Sequence, residues 1–239
     1  MQTTSITLDT ADGPMRTYEA RPDGQPRGGL VIIQEAFGVN EHIEDVTRRG
    51  AEAGYHAVAP DLFHRSGGGT VPYGQFEKVL EKFQGISGDD AVLVDVDAAL
   101  DHLRASGLPD SKIGIVGFCF GGRVTFLVAL RRTIGAAVGF YGGGIVTGRF
   151  PQFPPLVGEA AALSTPWLGL FGDQDGSIPV DDVEQLREAV AGATVDTDVV
   201  RYADAGHGFH CDQRPDFRPD DAKDAWARTL RWFDDHLTG

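Results

Sequence analysis

Lys112-Ile-Gly-Ile-Val-Gly-Phe-Cys-Phe-Gly-Gly-Arg123 is the stretch that decides how this chain folds. A short β-branched run ends at Gly117, Cys119 follows two residues later, and Gly121 and Gly122 open a segment with helical character. The pattern is strand, tight turn, helix, with a nucleophilic side chain at the apex of the turn. Its glycines have a steric reason: a turn strained enough to lift Cys119 clear of the sheet leaves no room for a Cβ at 117 or 121. The amino end of the following helix puts partial positive charge beside the sulfur, the setting of a reactive cysteine.

Two glycines around a cysteine also occur by chance, so partner residues are required. Thr165-Pro-Trp-Leu-Gly-Leu-Phe-Gly172 reads as a buried strand running into Asp173-Gln-Asp175-Gly-Ser-Ile-Pro179. Val199-Val-Arg-Tyr202 reads as a strand running into Asp204-Ala-Gly-His207-Gly-Phe209. Nucleophile, acid and histidine therefore follow three strands in the chain order of an α/β-hydrolase. The competing reading, Cys119 as an inert buried thiol and His207 as a turn residue, leaves this coincidence of three loops unexplained. Asp173 and Asp175 both remain candidates for the acid on this pattern.

The 239 residues suit one domain, 1–239, with a full hydrophobic core. With 35 acidic against 21 basic residues the formal charge is −14, which argues against nucleic acid and anionic membrane as partners. No basic-then-apolar leader is evident at the start, and no apolar run approaches the roughly 20 residues that span a bilayer. One of the two cysteines occupies the elbow, which argues for a reducing compartment. A soluble cytoplasmic protein is expected, its oligomeric state left open.

Short apolar runs without strict alternation recur at Leu30–Ile33, His56–Ala59, Ile113–Val116, Ala136–Phe140 and Leu168–Phe171. Strands of that kind are buried on both faces, as in a parallel sheet. Helical spacing lies between them, at Ile43, Val46, Gly50 and Ala53, at Val92 to Leu103, at Val183, Leu186 and Val190, and at Trp226, Leu230, Phe233 and Leu237. Asn40 and either Asp89 or Asp90 are expected N-caps. Ser5–Leu8 and Arg16–Ala20 flank a hairpin turn at Asp12-Gly13. The expected fold is an α/β-hydrolase, a mostly parallel sheet of about eight strands flanked by helices. The long irregular stretch 141–165 is expected to border the active site.

With these elements in place the chain resembles the dienelactone hydrolase family over nearly its full length. Gln34-Glu-Ala-Phe-Gly38, Pro60-Asp-Leu-Phe63 and Phe140-Tyr-Gly142 add to the triad positions. The resemblance implies Cys119 as nucleophile, His207 as base and Glu35 as a carboxylate accompanying the thiol. It selects Asp175 over Asp173, because the family's acid falls four residues before a proline, here Pro179. It also implies two arginines that hold a substrate carboxylate, one after the fourth strand and one four residues past the histidine. Here Cys211 stands four past His207, and no arginine occurs between Arg65 and Arg104; Arg214, Arg218, Lys78, Lys82 and Arg149 are cations that other positions offer, without a placement.

The expected chemistry is hydrolysis of small carboxylic esters or lactones by a Cys-His-Asp triad. The backbone amides of Ala36 and Phe120 would form the oxyanion hole. A pocket of Phe37, Phe120 and Tyr141, with Cys211 at its edge, would be apolar and poor at holding an anion. Neutral aryl esters or lactones are therefore expected to serve at least as well as dienelactone. The alternatives are a broad aryl or alkyl esterase, or activated-phosphoester hydrolase, on the same site, and a non-catalytic scaffold, against which the intact triad tells. Gly67-Gly-Gly69 and Gly142-Gly-Gly144 match no phosphate-binding fingerprint, so no cofactor is expected. His207-x-x-His210-Cys211 lacks a fourth ligand at any usual spacing, so no metal is expected either.

Overall fold

The computed structural model describes residues 1–237. Strands β1 (Gln2–Thr10), β2 (Gly13–Arg21), β3 (Gly28–Ile33), β4 (Tyr55–Pro60), β5 (Ile113–Phe118), β6 (Ala136–Phe140), β7 (Trp167–Gly172) and β8 (Thr197–Tyr202) form one sheet. Its order is β1-β2-β4-β3-β5-β6-β7-β8. The pairs β1/β2 and β2/β4 are antiparallel, and every neighbouring pair from β4 through β8 is parallel. Strands β3 to β7 are buried at every position. Helices cover both faces, which is why these strands read as unbroken apolar runs. The edge strand β8 is only half buried and keeps polar Thr197, Asp198 and Arg201.

The helices are α1 (Glu41–Glu52), α2 (Phe76–Gln84), α3 (Asp89–Ala105), α4 (Phe120–Arg131), α5 (Val180–Val190) and α6 (Pro219–His236). None among the described residues is long and apolar enough to cross a membrane. Asn40 caps α1 as its sequence position suggests, accepting from the Ile43 amide at 3.2 Å. The expected cap of α3 is corrected: Gly88 is the N-cap, and Asp89 instead pairs with Arg123 through two hydrogen bonds of 2.5 and 3.0 Å. Arg123 is buried in α4, and it also donates to the Pro154 carbonyl at 2.7 Å. One guanidinium thus ties the central helix to the start of α3 and to the 141–165 segment. Helix α2 adds a further amphipathic element, with Phe76, Val79, Leu80 and Phe83 at i, i+3, i+4 and i+7; its outer residues Phe76 and Leu80 face solvent.

In a sheet of this kind ligands bind beyond the carboxyl ends of the parallel strands. The chain leaves β3 at Gln34-Glu35, β5 at Cys119, β6 at Tyr141, β7 at Asp173 and β8 just before His207. Five strand ends deliver the chemically interesting side chains to one rim.

Candidate active site

Cys119 sits between β5 and α4 with φ 54° and ψ −113°, a conformation non-glycine residues seldom adopt. The strain persists because the surroundings leave no alternative. A Cβ at Gly117 would lie 2.2 Å from the Gly121 carbonyl oxygen, and one at Gly121 would lie 2.5 Å from that of Ile33. The Cys119 amide is held by the Phe140 carbonyl at 3.0 Å. Phe120, the first residue of α4, has no acceptor within its helix for its amide, and it lines the same cavity as Ala36 and Cys119.

Asp175, not Asp173, faces the imidazole. The His207 Nδ1–H donates to Asp175 Oδ2 at 2.6 Å, while Asp175 Oδ1 accepts from the Ser177 amide and hydroxyl at 2.8 and 2.7 Å. Asp173 is taken up by Arg201 in a two-point pair, both bonds 2.7 Å, which pins the end of β7 to β8. Burial resists ionisation of Asp175, but the hydrogen bond and charge of His207, with Ser177, hold its carboxyl below the usual range. Burial likewise disfavours the charged imidazole; the charge of Cys119 and the bond to Asp175 override it and push His207 up to about 10. His207 and Cys119 line one cavity.

Glu35 is fully buried at the end of β3. Its hydrogen bonds come from Arg214 and Tyr141 rather than from Cys119: Arg214 Nη1 and the Tyr141 hydroxyl each donate to Oε1 at 3.4 Å. Its Oε2 has no partner among the described residues. Burial works against the Arg214 guanidinium, yet the charge of Glu35 holds it above its ordinary value. Gln34 has a structural task, accepting from the Leu62 amide at 3.1 Å and so joining the ends of β3 and β4.

The pocket expected from the sequence needs correction. Phe37 and Phe120 line a cavity of about 560 Å³, but Tyr141 and Cys211 do not. Tyr141 is buried beneath the site, its ring 5.1 Å from that of His207. Cys211 is buried with its sulfur 3.2 Å from the Tyr73 hydroxyl, and burial pushes its thiol up to about 11. The expected pocket without a placed cation is corrected too: Arg123 lines the cavity, as do Arg149 and Arg214, two of the cations the sequence offered without placing them. Arg123 is already neutralised by Asp89. Arg214 arrives by loop geometry: Cys211 N–H donates to Gly208 O and Arg214 N–H to Cys211 O, two turns that send Cys211 inward and bring Arg214 back to the site. Gly208, at φ 84°, makes the approach possible, for a Cβ there would lie 2.4 Å from Arg214 Nη1. Counting four residues past the histidine could not find this cation. The sequence offers Arg214 as one of several unplaced cations, and only the folded loop brings it to the site.

Two other clusters carry potential metal ligands. Glu19 Oε1 accepts from His56 Nε2 and His102 Nε2 at 2.7 Å each and from Arg21 at 3.1 Å, a hydrogen-bonded group already satisfied. His42, Cys211 and Asp212 come together elsewhere, and neither ring nitrogen of buried His42 has a partner among the described residues. Histidines 207 and 210 of the sequence fragment do not converge: His210 is buried against Phe118, with ring centroids 5.1 Å apart.

The strand order and the strained turn after β5 make this an α/β-hydrolase. Comparison with known proteins narrows the class. The profile of the dienelactone hydrolase family matches residues 15–237. A Yersinia pestis protein provisionally named carboxymethylenebutenolidase is 37% identical over 96% of this chain and 87% of its own. The carboxymethylenebutenolidase of Pseudomonas putida is 32% identical, covering 87% of this chain and 86% of its own. The crystal structure of a provisionally named dienelactone hydrolase from Klebsiella pneumoniae superposes with a TM-score of 0.88 at 33% identity, over 98% of this chain and 99% of that one. The chain belongs to the dienelactone hydrolase family, and it is a hydrolase.

Proposed function

We propose that the protein hydrolyses carboxylic esters or lactones through Cys119, His207 and Asp175, and that it accepts substrates carrying a carboxylate. The observation that carries the reading is the Asp175–His207 bond of 2.6 Å set in the same cavity as Cys119 on its strained turn. Asp175 orients the imidazole and stabilises its charged form. His207 takes the proton of the Cys119 thiol, and the sulfur attacks the carbonyl carbon. The oxyanion is met by the amides of Ala36 and Phe120. His207 passes its proton to the departing alkoxide or enolate oxygen, leaving a thioester on Cys119. The neutral imidazole then takes a proton from water, hydroxide adds to the thioester, and the thiolate leaves with the acid as product.

Arg214 supports the anionic preference. Its guanidinium makes one hydrogen bond among the described residues, to Glu35, so its other guanidinium N–H groups are available to a carboxylate in the cavity it lines. An incoming carboxylate and Glu35 would then share one guanidinium.

The test is a comparison of kcat/KM for matched neutral and carboxylate-bearing lactones. An anion preference of about tenfold or more is expected, and Arg214→Gln should remove most of it. Cys119→Ala should abolish turnover and leave the thermal melt in place. Turnover retained by that variant would refute the nucleophile, and a preference for the neutral lactone would refute the role of Arg214.

A further inference from the structure

Helix α2 carries an apolar stripe for which the chemistry above has no use. Phe76, Val79, Leu80 and Phe83 fall on one helical face, and all four line the cavity that holds Cys119. The inner pair is buried by protein: Phe83 meets Phe120 edge-on with centroids 4.8 Å apart and stacks on Phe150 at 5.5 Å. The outer pair is not. Phe76 is 65% exposed and Leu80 50%, and Met1 is the one other large hydrophobic exposed among the described residues. A scattered exposed hydrophobic needs no explanation, but two on the wall of a reaction cavity form a contiguous surface with it.

The volume points the same way. A space of about 560 Å³ lies within the range of roughly 300–1,000 Å³ that holds drug-sized ligands. A compact lactone anchored by its carboxylate on Arg214 would leave most of that space and the outer part of α2 in water. The cationic lining comes from other segments, Arg149 from the stretch after β6 and Arg214 from the loop after β8, while α2 contributes only apolar side chains to the wall.

We propose that α2, with Phe150, forms a binding subsite for an aryl or branched apolar group joined to the scissile ester, so that the preferred substrate is a bulky amphiphile. This rests on the hydrolase reading above and names the substrate class for that site. Covering Phe76 and Leu80 supplies transition-state binding that a small acyl group cannot reach, so the gain appears in kcat/KM.

The experiment compares vinyl acetate with vinyl 3-phenylpropanoate, which share a leaving group and differ in the acyl chain. The wild-type protein should favour the phenylpropanoate by about 30-fold or more in kcat/KM. Leu80→Ala and Phe76→Ala should each lower that ratio about five- to tenfold, with melting curves confirming that both variants fold. Independently of turnover, 3-phenylpropanoate should bind Cys119→Ala calorimetrically, and Leu80→Ala in that background should weaken the binding by a similar factor. A wild-type ratio near one, or a ratio untouched by both variants, overturns the subsite. So does a solution dimer that Leu80→Arg dissociates, since the stripe would then be covered by a second copy of the chain. If neither ester is hydrolysed while phenylpropanoate binds in a Leu80-dependent way, the subsite stands and the hydrolase reading falls.

Discussion

The contact between Glu35 and Arg214 should behave as a strongly coupled pair. Glu35 is fully buried, and its nearest cation is Arg214 Nη1 at 3.4 Å, on a side chain 15% exposed. At that distance and an effective dielectric of about 20, the Coulomb attraction is about 5 kcal/mol. Solvent reaching the guanidinium, and the desolvation of both groups, reduce the coupling to an expected ~2 kcal/mol. Arg214→Met should therefore destabilise the protein by about 3 kcal/mol, because it leaves a carboxylate buried with only the Tyr141 hydroxyl for support. Glu35→Gln in the same chain should recover most of that loss. The assay is a double-mutant cycle in urea at neutral pH, with Glu35→Gln, Arg214→Met and the double variant followed by fluorescence and circular dichroism. A coupling below about 0.5 kcal/mol, or a double variant no more stable than Arg214→Met, would refute the view that Arg214 is what makes a buried Glu35 tolerable.

The two aspartates after β7 should separate cleanly. Asp175→Asn should lower kcat by about 10³–10⁴, whereas Asp173→Asn should keep activity within a few-fold and shift the melt only slightly, because its pair with Arg201 is solvent-screened; reversed kinetic effects would give Asp173 the catalytic task. Stability should also depend on pH through His207. Its folded value of about 10 stands above the unfolded value of about 6.5, so its contribution is full below about pH 6.5 and is lost as pH rises through 10. The melting temperature should fall across that window, and His207→Gln should flatten the fall; an identical slope in the variant would show that other groups titrate there.

Much of this protein is legible in one dimension because its causes are local. Gly117 is required by the backbone of Gly121 a few residues on, and the apolar runs of β3 to β7 follow from burial on both faces of a parallel sheet. The order Cys119, Asp175, His207 is equally visible, since each residue follows a strand and strand ends share one rim. The sequence alone could not say which way the turns after His207 face. That geometry sends Cys211 inward to Tyr73 and Arg214 to Glu35, 179 residues away along the chain. Nor could local signals show that Asp89 serves Arg123 instead of capping α3, or that α2 lays its stripe along the cavity. Turn and strand preferences act between neighbours in sequence, whereas the charge and polarity of the pocket arise from side chains that only the packed sheet brings together.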